Sequence, residues 1–360
     1  MFGALQMKSW PNSAIVQKKT SERSGLYFLT IPGEGLALKV LPCISPMPKP
    51  FIIMNRFSGK VAIVTGAASG LGATLTLQLC RKGARVALID IDQKGIGALS
   101  QELEKEGLVF RSYVADVSSA AEVGVVIERI LKDFGGVDFL FNNAGISLSR
   151  EPFWAISHEN WNRLMEVNLG GVINCSRAVL PLFLEKQEGH VVNICSIMGK
   201  VSFPNRSAYI VSKFAIRGFS LALRQELKGT GVAVTIAYPG TIRTNIAKNS
   251  IGWKEEEMKQ KAIRLTERPS VLSPEDAAAI ILRAVERRRK AIYTGSDAQL
   301  LRFTSRFIPE DWYYSLFSFF HDRIEKIMDS VQKRKTQPSA EKISSHRESE
   351  KESKLPVPPQ

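Results

Sequence analysis

Five short apolar runs punctuate the middle of the chain: Val61-Ala62-Ile63-Val64, Arg85-Val86-Ala87-Leu88-Ile89, Val137-Asp138-Phe139-Leu140-Phe141, Val191-Val192-Asn193-Ile194 and Val232-Ala233-Val234-Thr235-Ile236-Ala237. They are continuously apolar rather than alternating, which is how a strand reads when both of its faces are buried. Helix-length segments separate them, long enough for right-handed crossovers between parallel neighbours. The pattern predicts an α/β fold: a Rossmann-like, doubly wound parallel sheet with helices on both faces. A helix is expected from the glycines after the first strand through about Lys82. Another is expected over Ala277 to Lys290, where Ser273-Pro274-Glu275-Asp276 leads and Glu286-Arg287-Arg288-Arg289-Lys290 closes, an order of charge that suits the helix dipole.

The ends read differently. Residues 1–55 mix Pro, Gly and Ser with short apolar runs of no durable period and are expected to form a poorly structured N-terminal extension. Leu26 to Leu41 is interrupted by Pro32, Glu34 and Lys39, too broken for a membrane span and poorly shaped for a secretory signal. Met54 is a second plausible start, which would make residues 1–53 an appendage or an upstream translation artefact. Residues 332–360 alternate charge with serine and proline and cannot repay the entropy of ordering, so a disordered tail is expected. The body between, about residues 56–325, is one domain, with a helical segment of mixed charge over about 245–269 placed as a lid. Near its end Trp312, Leu316, Phe319 and Phe320 can share one helical face, suited to covering a cleft, to a subunit interface or to peripheral membrane contact.

Composition narrows the classes. A chain of 360 residues with 44% hydrophobic and 23% charged content can bury one large core. The net charge of +14 leaves about +6 on residues 60–330, so the basicity belongs mainly to the ends. No zinc-finger spacing or aromatic-basic platform is present, and no nucleic-acid partner is expected of the body. Attachment of nucleic acid to the basic ends is the remaining form of that reading, and it would weaken steeply with salt. Cys43, Cys80, Cys175 and Cys195 lack CxxC spacing, which suggests neither a metal site nor a disulfide framework and favours a reducing, cytoplasmic setting. Cys195 reads as a small buried hydrophobe rather than a nucleophile.

Three motifs carry chemistry. Thr65-Gly66-Ala67-Ala68-Ser69-Gly70-Leu71-Gly72 joins the first strand to a helix, so its backbone N–H groups and the helix N-terminus can receive a pyrophosphate. Asp90, at the end of the second strand, can accept both adenosine ribose hydroxyls and would repel a 2′-phosphate, favouring NAD over NADP; Arg85 and Lys94 nearby temper that preference. Asp116 of Ala115-Asp116-Val117 suits either an adenine pocket or a helix cap. Tyr209 and Lys213 stand four residues apart, a phenol and an ammonium on one helical face. A free tyrosine titrates near pH 10, and an adjacent cation stabilises its phenolate. Ser196 follows a strand that would bring its hydroxyl to the same pocket. The YxxxK spacing also occurs by chance, and its neighbours give it weight.

Taken together, the chain resembles the short-chain dehydrogenase/reductase family, classical type, over roughly residues 57–250. TGxxxGxG stands at Thr65 to Gly72, the NNAG element at Asn142-Asn143-Ala144-Gly145, YxxxK at Tyr209 to Lys213, the helix asparagine at Asn168 and the element near the nicotinamide at Pro239-Gly240. Phe214 to Leu227, Pro239 to Ile246 and Gly295-Ser296-Asp297-Ala298 look like a bacterial-type branch acting on apolar alcohols, ketones or acyl-derived aldehydes.

The resemblance implies an NAD(P)-dependent alcohol dehydrogenase or carbonyl reductase, using NAD or NADP. Its catalytic set would be Asn168, Ser196, Tyr209 and Lys213. The cofactor would be held by Thr65, Gly66, Ser69, Gly70, Leu71, Gly72, Asp90, Asp116, Val117, Asn143, Ala144, Gly145, Tyr209, Lys213, Pro239, Gly240, Ile242 and Thr244. Ser196, Met198, Phe203 and Tyr209 would meet a small hydrophobic alcohol, ketone or aldehyde, lipid-like, steroid-like or acyl-derived, in a pocket more apolar than ionic. A homo-oligomer is implied as well. The rival reading is a non-catalytic dinucleotide sensor or scaffold, which needs none of the four catalytic side chains as a set.

Overall fold

The computed structural model describes residues 15–17, 28–30, 55–244, 246, 248–253, 256–267 and 271–307. The aromatic segment around Trp312 to Phe320 and the tail from residue 332 lie outside the described residues, as does part of the lid expected over 245–269. The chain divides into two units, residues 1–54 and residues 55–360. In the first, strands β1 (Ile15–Gln17) and β2 (Phe28–Thr30) pair antiparallel, Ile15 opposite Thr30.

The second unit is built on a seven-stranded parallel sheet. Its strands are β3 (Val61–Thr65), β4 (Arg85–Asp90), β5 (Phe110–Val114), β6 (Phe139–Asn142), β7 (Gly189–Ile194), β8 (Val232–Pro239) and β9 (Ala291–Thr294), in the spatial order β5-β4-β3-β6-β7-β8-β9. Strand order reverses between β3 and β6, and in such sheets the crevice beyond the strands' carboxyl ends at that reversal is where ligands bind.

Side-chain alternation divides the sheet into two cores. Ala62, Val64, Val86, Leu88, Phe141 and Val192 face one way, under α1 (Gly70–Arg81), α2 (Gln93–Lys105) and α8 (Pro274–Glu286). Val61, Ile63, Ala87, Ile89, Leu140 and Val191 face the other, under α3 (Ala120–Phe134), α5 (Gly171–Lys186) and α6 (Ser207–Glu226). Both faces are covered, which is why the strands read as unbroken apolar runs. Helix starts follow side-chain caps: Asp92 accepts from the N–H groups of Lys94 and Gly95, Ser119 from Glu122 and Ser273 from Asp276, with Pro274 in the first turn.

Two strands escaped the sequence pattern. β5 lies at an edge, and only Tyr113 among its five residues is buried. β9 has four residues and follows a basic stretch. The helix expected to run to Lys290 stops at Glu286, because Arg288 takes a left-handed conformation (φ 48°) and turns the chain toward β9. Farther along come α4 (His158–Met165), α7 (Glu256–Thr266) and α9 (Ser296–Phe307). The continuous helical stretch His158–Lys186 is long and apolar enough to cross a membrane by length and composition. Of its apolar residues, Cys175, Val179 and Phe183 are buried in the core on that face.

Candidate functional site

At the sheet reversal, the β3–α1 turn is shaped by close approach. Gly66 and Gly70 have φ of 64° and 55°, and a Cβ on Gly72 would stand 1.9 Å from the Gly66 carbonyl oxygen. Ser69 caps α1 without a side-chain capping bond, and the first turn holds no acidic residue. The open N-terminus therefore presents unopposed positive potential. Thr65 sits behind this turn: its Oγ1 accepts the N–H groups of Asn143 and Ala144, each at 3.0 Å. Asn143 returns Nδ2 bonds to the carbonyls of Thr65 (3.0 Å) and Gly66 (3.1 Å). Asn142 points into the sheet and donates to Asn193 Oδ1 at 2.8 Å. The TGxxxGxG and NNAG elements are thus one hydrogen-bonded unit.

Asp90 ends β4 with both carboxylate oxygens on backbone donors, Ala68 N at 2.9 Å and Asp92 N at 3.0 Å. It still lines the cavity beside the glycine turn. Asp116 accepts from Ser118 N (2.9 Å), Ser118 Oγ (2.7 Å) and Arg163 Nη2 (2.8 Å). Burial opposes its ionisation, but these donors outweigh burial and hold the carboxyl below the usual range. Val117 closes this wall against Gly171, where an added Cβ would lie 2.7 Å from Val117 Cγ2.

At the other end of the cavity, α6 carries Tyr209 and Lys213 on one face. Lys213 is 5% exposed; its Nζ donates to the Ile194 carbonyl at 3.2 Å and lies 5.5 Å from the centroid of the Tyr209 ring. Cys195 Sγ donates to the Lys213 carbonyl at 3.1 Å, tying the end of β7 to the helix and setting Ser196 in the cavity wall with Tyr209. Burial pushes the Cys195 thiol up despite the nearby Lys213 charge, so it behaves as a packed apolar group. Asn168 is fully buried in a π-helical turn, Glu166–Gly170. Its Oδ1 accepts Ile146 N at 2.8 Å, and its Nδ2 donates to Ile146 O and Ser212 Oγ, each at 3.1 Å. Ser212 Oγ in turn donates to the Tyr209 carbonyl at 2.7 Å. A Cβ on Gly145 would stand 3.1 Å from Asn168 Oδ1 and 3.7 Å from Lys213 Nζ, which fixes how closely these three residues meet.

These groups line one cavity of about 960 Å³. Gly66, Ser69, Gly70, Leu71, Gly72, Asp90, Asp116, Val117, Asn143, Ala144, Gly145, Ser196, Met198, Tyr209, Lys213, Pro239, Gly240, Ile242 and Thr244 all border it. Of the residues singled out in the sequence, Asn168, Thr65 and Phe203 stand back. Asn168 and Thr65 brace residues that border the cavity, whereas Phe203 packs against the apolar cluster of Ile197, Val201, Ala298 and Leu301. Asp297 was not expected: it accepts Thr241 N at 2.6 Å and Ala298 N at 2.8 Å, and a Cβ on Gly240 would collide with it at 2.0 Å. Its only signal was its place in Gly295-Ser296-Asp297-Ala298. Arg150 and Arg206 also border the cavity, with the neutral Asn249 and Trp253, alongside Ile197, Met198 and Ile246.

A glycine cradle that no Cβ could enter, an uncapped helix N-terminus and a buried lysine beside a tyrosine in one cleft fit a dinucleotide and define a nicotinamide-dependent oxidoreductase. The chain matches the family described as short chain dehydrogenase over residues 60–255. It is 34% identical over 261 residues to SadH of Mycobacterium tuberculosis (strain H37Rv), covering 72% of this chain and 94% of that protein. A short chain dehydrogenase/reductase from Burkholderia phymatum in complex with NAD aligns with a TM-score of 0.64 and 27% identity, over 69% of this chain and 92% of that one. A metagenomic short-chain oxidoreductase in complex with NADP aligns at 0.55 and 26%, over 66% and 97%. The chain belongs to the short-chain dehydrogenase/reductase family, classical type, and is an NAD(P)-dependent oxidoreductase of that family.

Proposed function

We propose that the chain interconverts an alcohol and its ketone or aldehyde on a small, largely apolar substrate, with Tyr209 moving the proton. The observation that carries this reading is the buried Lys213 ammonium 5.5 Å from the Tyr209 ring, on the wall that also holds Ser196.

A nicotinamide dinucleotide held along the glycine turn, Asp90 and Lys213 would supply or accept the hydride. Tyr209 gives its hydroxyl proton to the substrate oxygen in reduction and takes it back in oxidation, and Lys213 supplies the positive charge that stabilises the phenolate. Ser196 donates a hydrogen bond to the same oxygen; its Oγ also accepts Met198 N at 3.1 Å, which leaves the hydroxyl proton available. Asn168 acts as a positioning residue. Both of its amide protons and one lone pair are spent on Ile146 and Ser212, so it fixes the NNAG turn against the helix that carries Tyr209. Met198, Ile197 and Ile246 supply apolar walls.

Asp90, set beside the glycine turn, supports NAD over NADP in this reading, since a fixed carboxylate repels a 2′-phosphate. A cytoplasmic setting and homo-oligomeric assembly accompany the proposal. The rival, a dinucleotide sensor without turnover, is separated from it by one assay. The purified chain is given NADH or NADPH with a chain-length series of aldehydes and ketones, and reduced dinucleotide is followed by absorbance. Turnover that rises with chain length is expected. Dinucleotide binding without turnover across the whole series would establish the sensor instead.

A further inference from the structure

Tyr209 shares its end of the cavity with two guanidinium groups that proton transfer does not use. Arg206 stands three positions before Tyr209, at the start of α6, where Asn205 in a left-handed conformation (φ 59°) turns the chain into the helix. Its Nη1 donates to Ser147 Oγ and to the Leu148 carbonyl, both at 3.0 Å. Both acceptors are neutral, and among the described residues no carboxylate pairs with it. Arg150 borders the same cavity, close enough for its charge to bear on Arg206.

Burial, with the Arg150 charge added and the Tyr209 phenol opposing, pulls the Arg206 guanidinium down to about 10. Arg150 is exposed, so the cost falls on Arg206, whose largely buried charge an arriving anion would offset. The nearby acids are engaged elsewhere: Asp116 with Arg163 and Ser118, Asp297 with the backbone at Thr241 and Ala298, and Glu151 with the Ser149 hydroxyl. Trp253, on the same wall, keeps its buried indole N–H without an acceptor among the described residues. At this end the two guanidinium groups and the Trp253 indole N–H all present donors.

We propose that the substrate carries a carboxylate, held by Arg206 and Arg150, a few carbons from the carbonyl that meets Tyr209. This deepens the reading given under Proposed function and rests on it. A guanidinium matches a carboxylate with paired N–H donors, and Arg206, the N-cap of α6, stands three positions before Tyr209 with both bordering the cavity, which favours a short spacer. In reduction the keto carbon gains hydride from the reduced dinucleotide and its oxygen gains the Tyr209 proton, giving a secondary alcohol. The carboxylate is unchanged.

The test is a series of oxo-octanoic acids differing in ketone position, each paired with its primary amide, with a neutral methyl ketone of equal length as reference. At least one acid is expected to exceed its amide in kcat/KM by about tenfold or more, chiefly through KM. Arg206→Gln should cut that acid-to-amide ratio by about tenfold, and Arg206→Lys should retain part of it. Because the ratio is internal to each preparation, partial misfolding does not produce it. Turnover of the neutral ketone with equal or poorer use of every acid would overturn the carboxylate site and leave the proposed reaction standing. Absence of turnover on all of them would overturn both.

Discussion

His190 is held neutral by what surrounds it. His190 lies inside β7, where burial first, and then the charges of Arg288 and Arg56, pull its imidazole down to about 3. Thr235 Oγ1 donates to the Arg289 carbonyl at 2.7 Å, so the 2.8 Å contact between Thr235 Oγ1 and His190 Nε2 is donated by the ring. Nδ1 is then bare, and it has no partner among the described residues. The folded state resists protonation while the unfolded chain takes a proton near pH 6.5, so stability is fully present above about 6.5 and is lost as pH falls toward 3. Denaturant titrations across that window should lose up to about 1.4 kcal/mol per pH unit from this residue. His190→Gln should flatten that part of the profile, and an unchanged slope would contradict the account. At this scale the sequence was most legible where chemistry imposes spacing, as with Tyr209, Lys213 and Ser196. Arg206 passed unremarked, because its value comes from having no carboxylate partner among the described residues, which only the folded surroundings decide. Asn168 was legible as a position, but its π-helical turn has no periodic signature.

Strand–turn–helix elements carry the dinucleotide half. The β3–α1 turn tolerates no side chain at Gly72, so Gly72→Ala should cost about 1–3 kcal/mol of stability and weaken NAD(P) binding sharply, read by denaturant unfolding and fluorescence titration. Near-parental binding would mean the cradle is less confined than described. β4 delivers Asp90 with both oxygens on backbone N–H groups. Asp90→Asn keeps much of that geometry and removes the charge. It should lower the NAD-to-NADP ratio of kcat/KM by about tenfold, and an unmoved ratio would show that another group sets the preference. The glycine turn and Asp90 were legible because their signals are local in the chain. β5 and β9 were not: an edge strand with one buried residue and a four-residue strand are defined by their neighbours, β4 and β8, rather than by their own pattern.

Across residues 55–307 the parallel sheet sets its two halves against each other, with the glycine turn at one end of a single cleft and the phenol at the other. The Asn142–Asn193–Ser220 hydrogen bonds link β6, β7 and α6 through the core, so occupancy of the cleft should be felt by the body of the domain. Dinucleotide at about a hundredfold excess over Kd should stabilise the protein by about 2.7 kcal/mol, raising Tm by roughly 5 to 10 °C. No shift with either NAD or NADP would remove the cofactor from the account. The domain's class was legible from its unbroken apolar strands, whereas the meeting of Arg150, Arg206 and Trp253 along one cavity was not, since they come from separate segments that only folding brings together. The most direct measurement is the steady-state turnover of Tyr209→Phe beside its NAD(P) affinity. The phenol is proposed to move the proton, so affinity should stay within a few-fold of the parent while kcat falls by about 10²-fold or more. Turnover near the parental rate with unaltered affinity would show that the proton travels through another group.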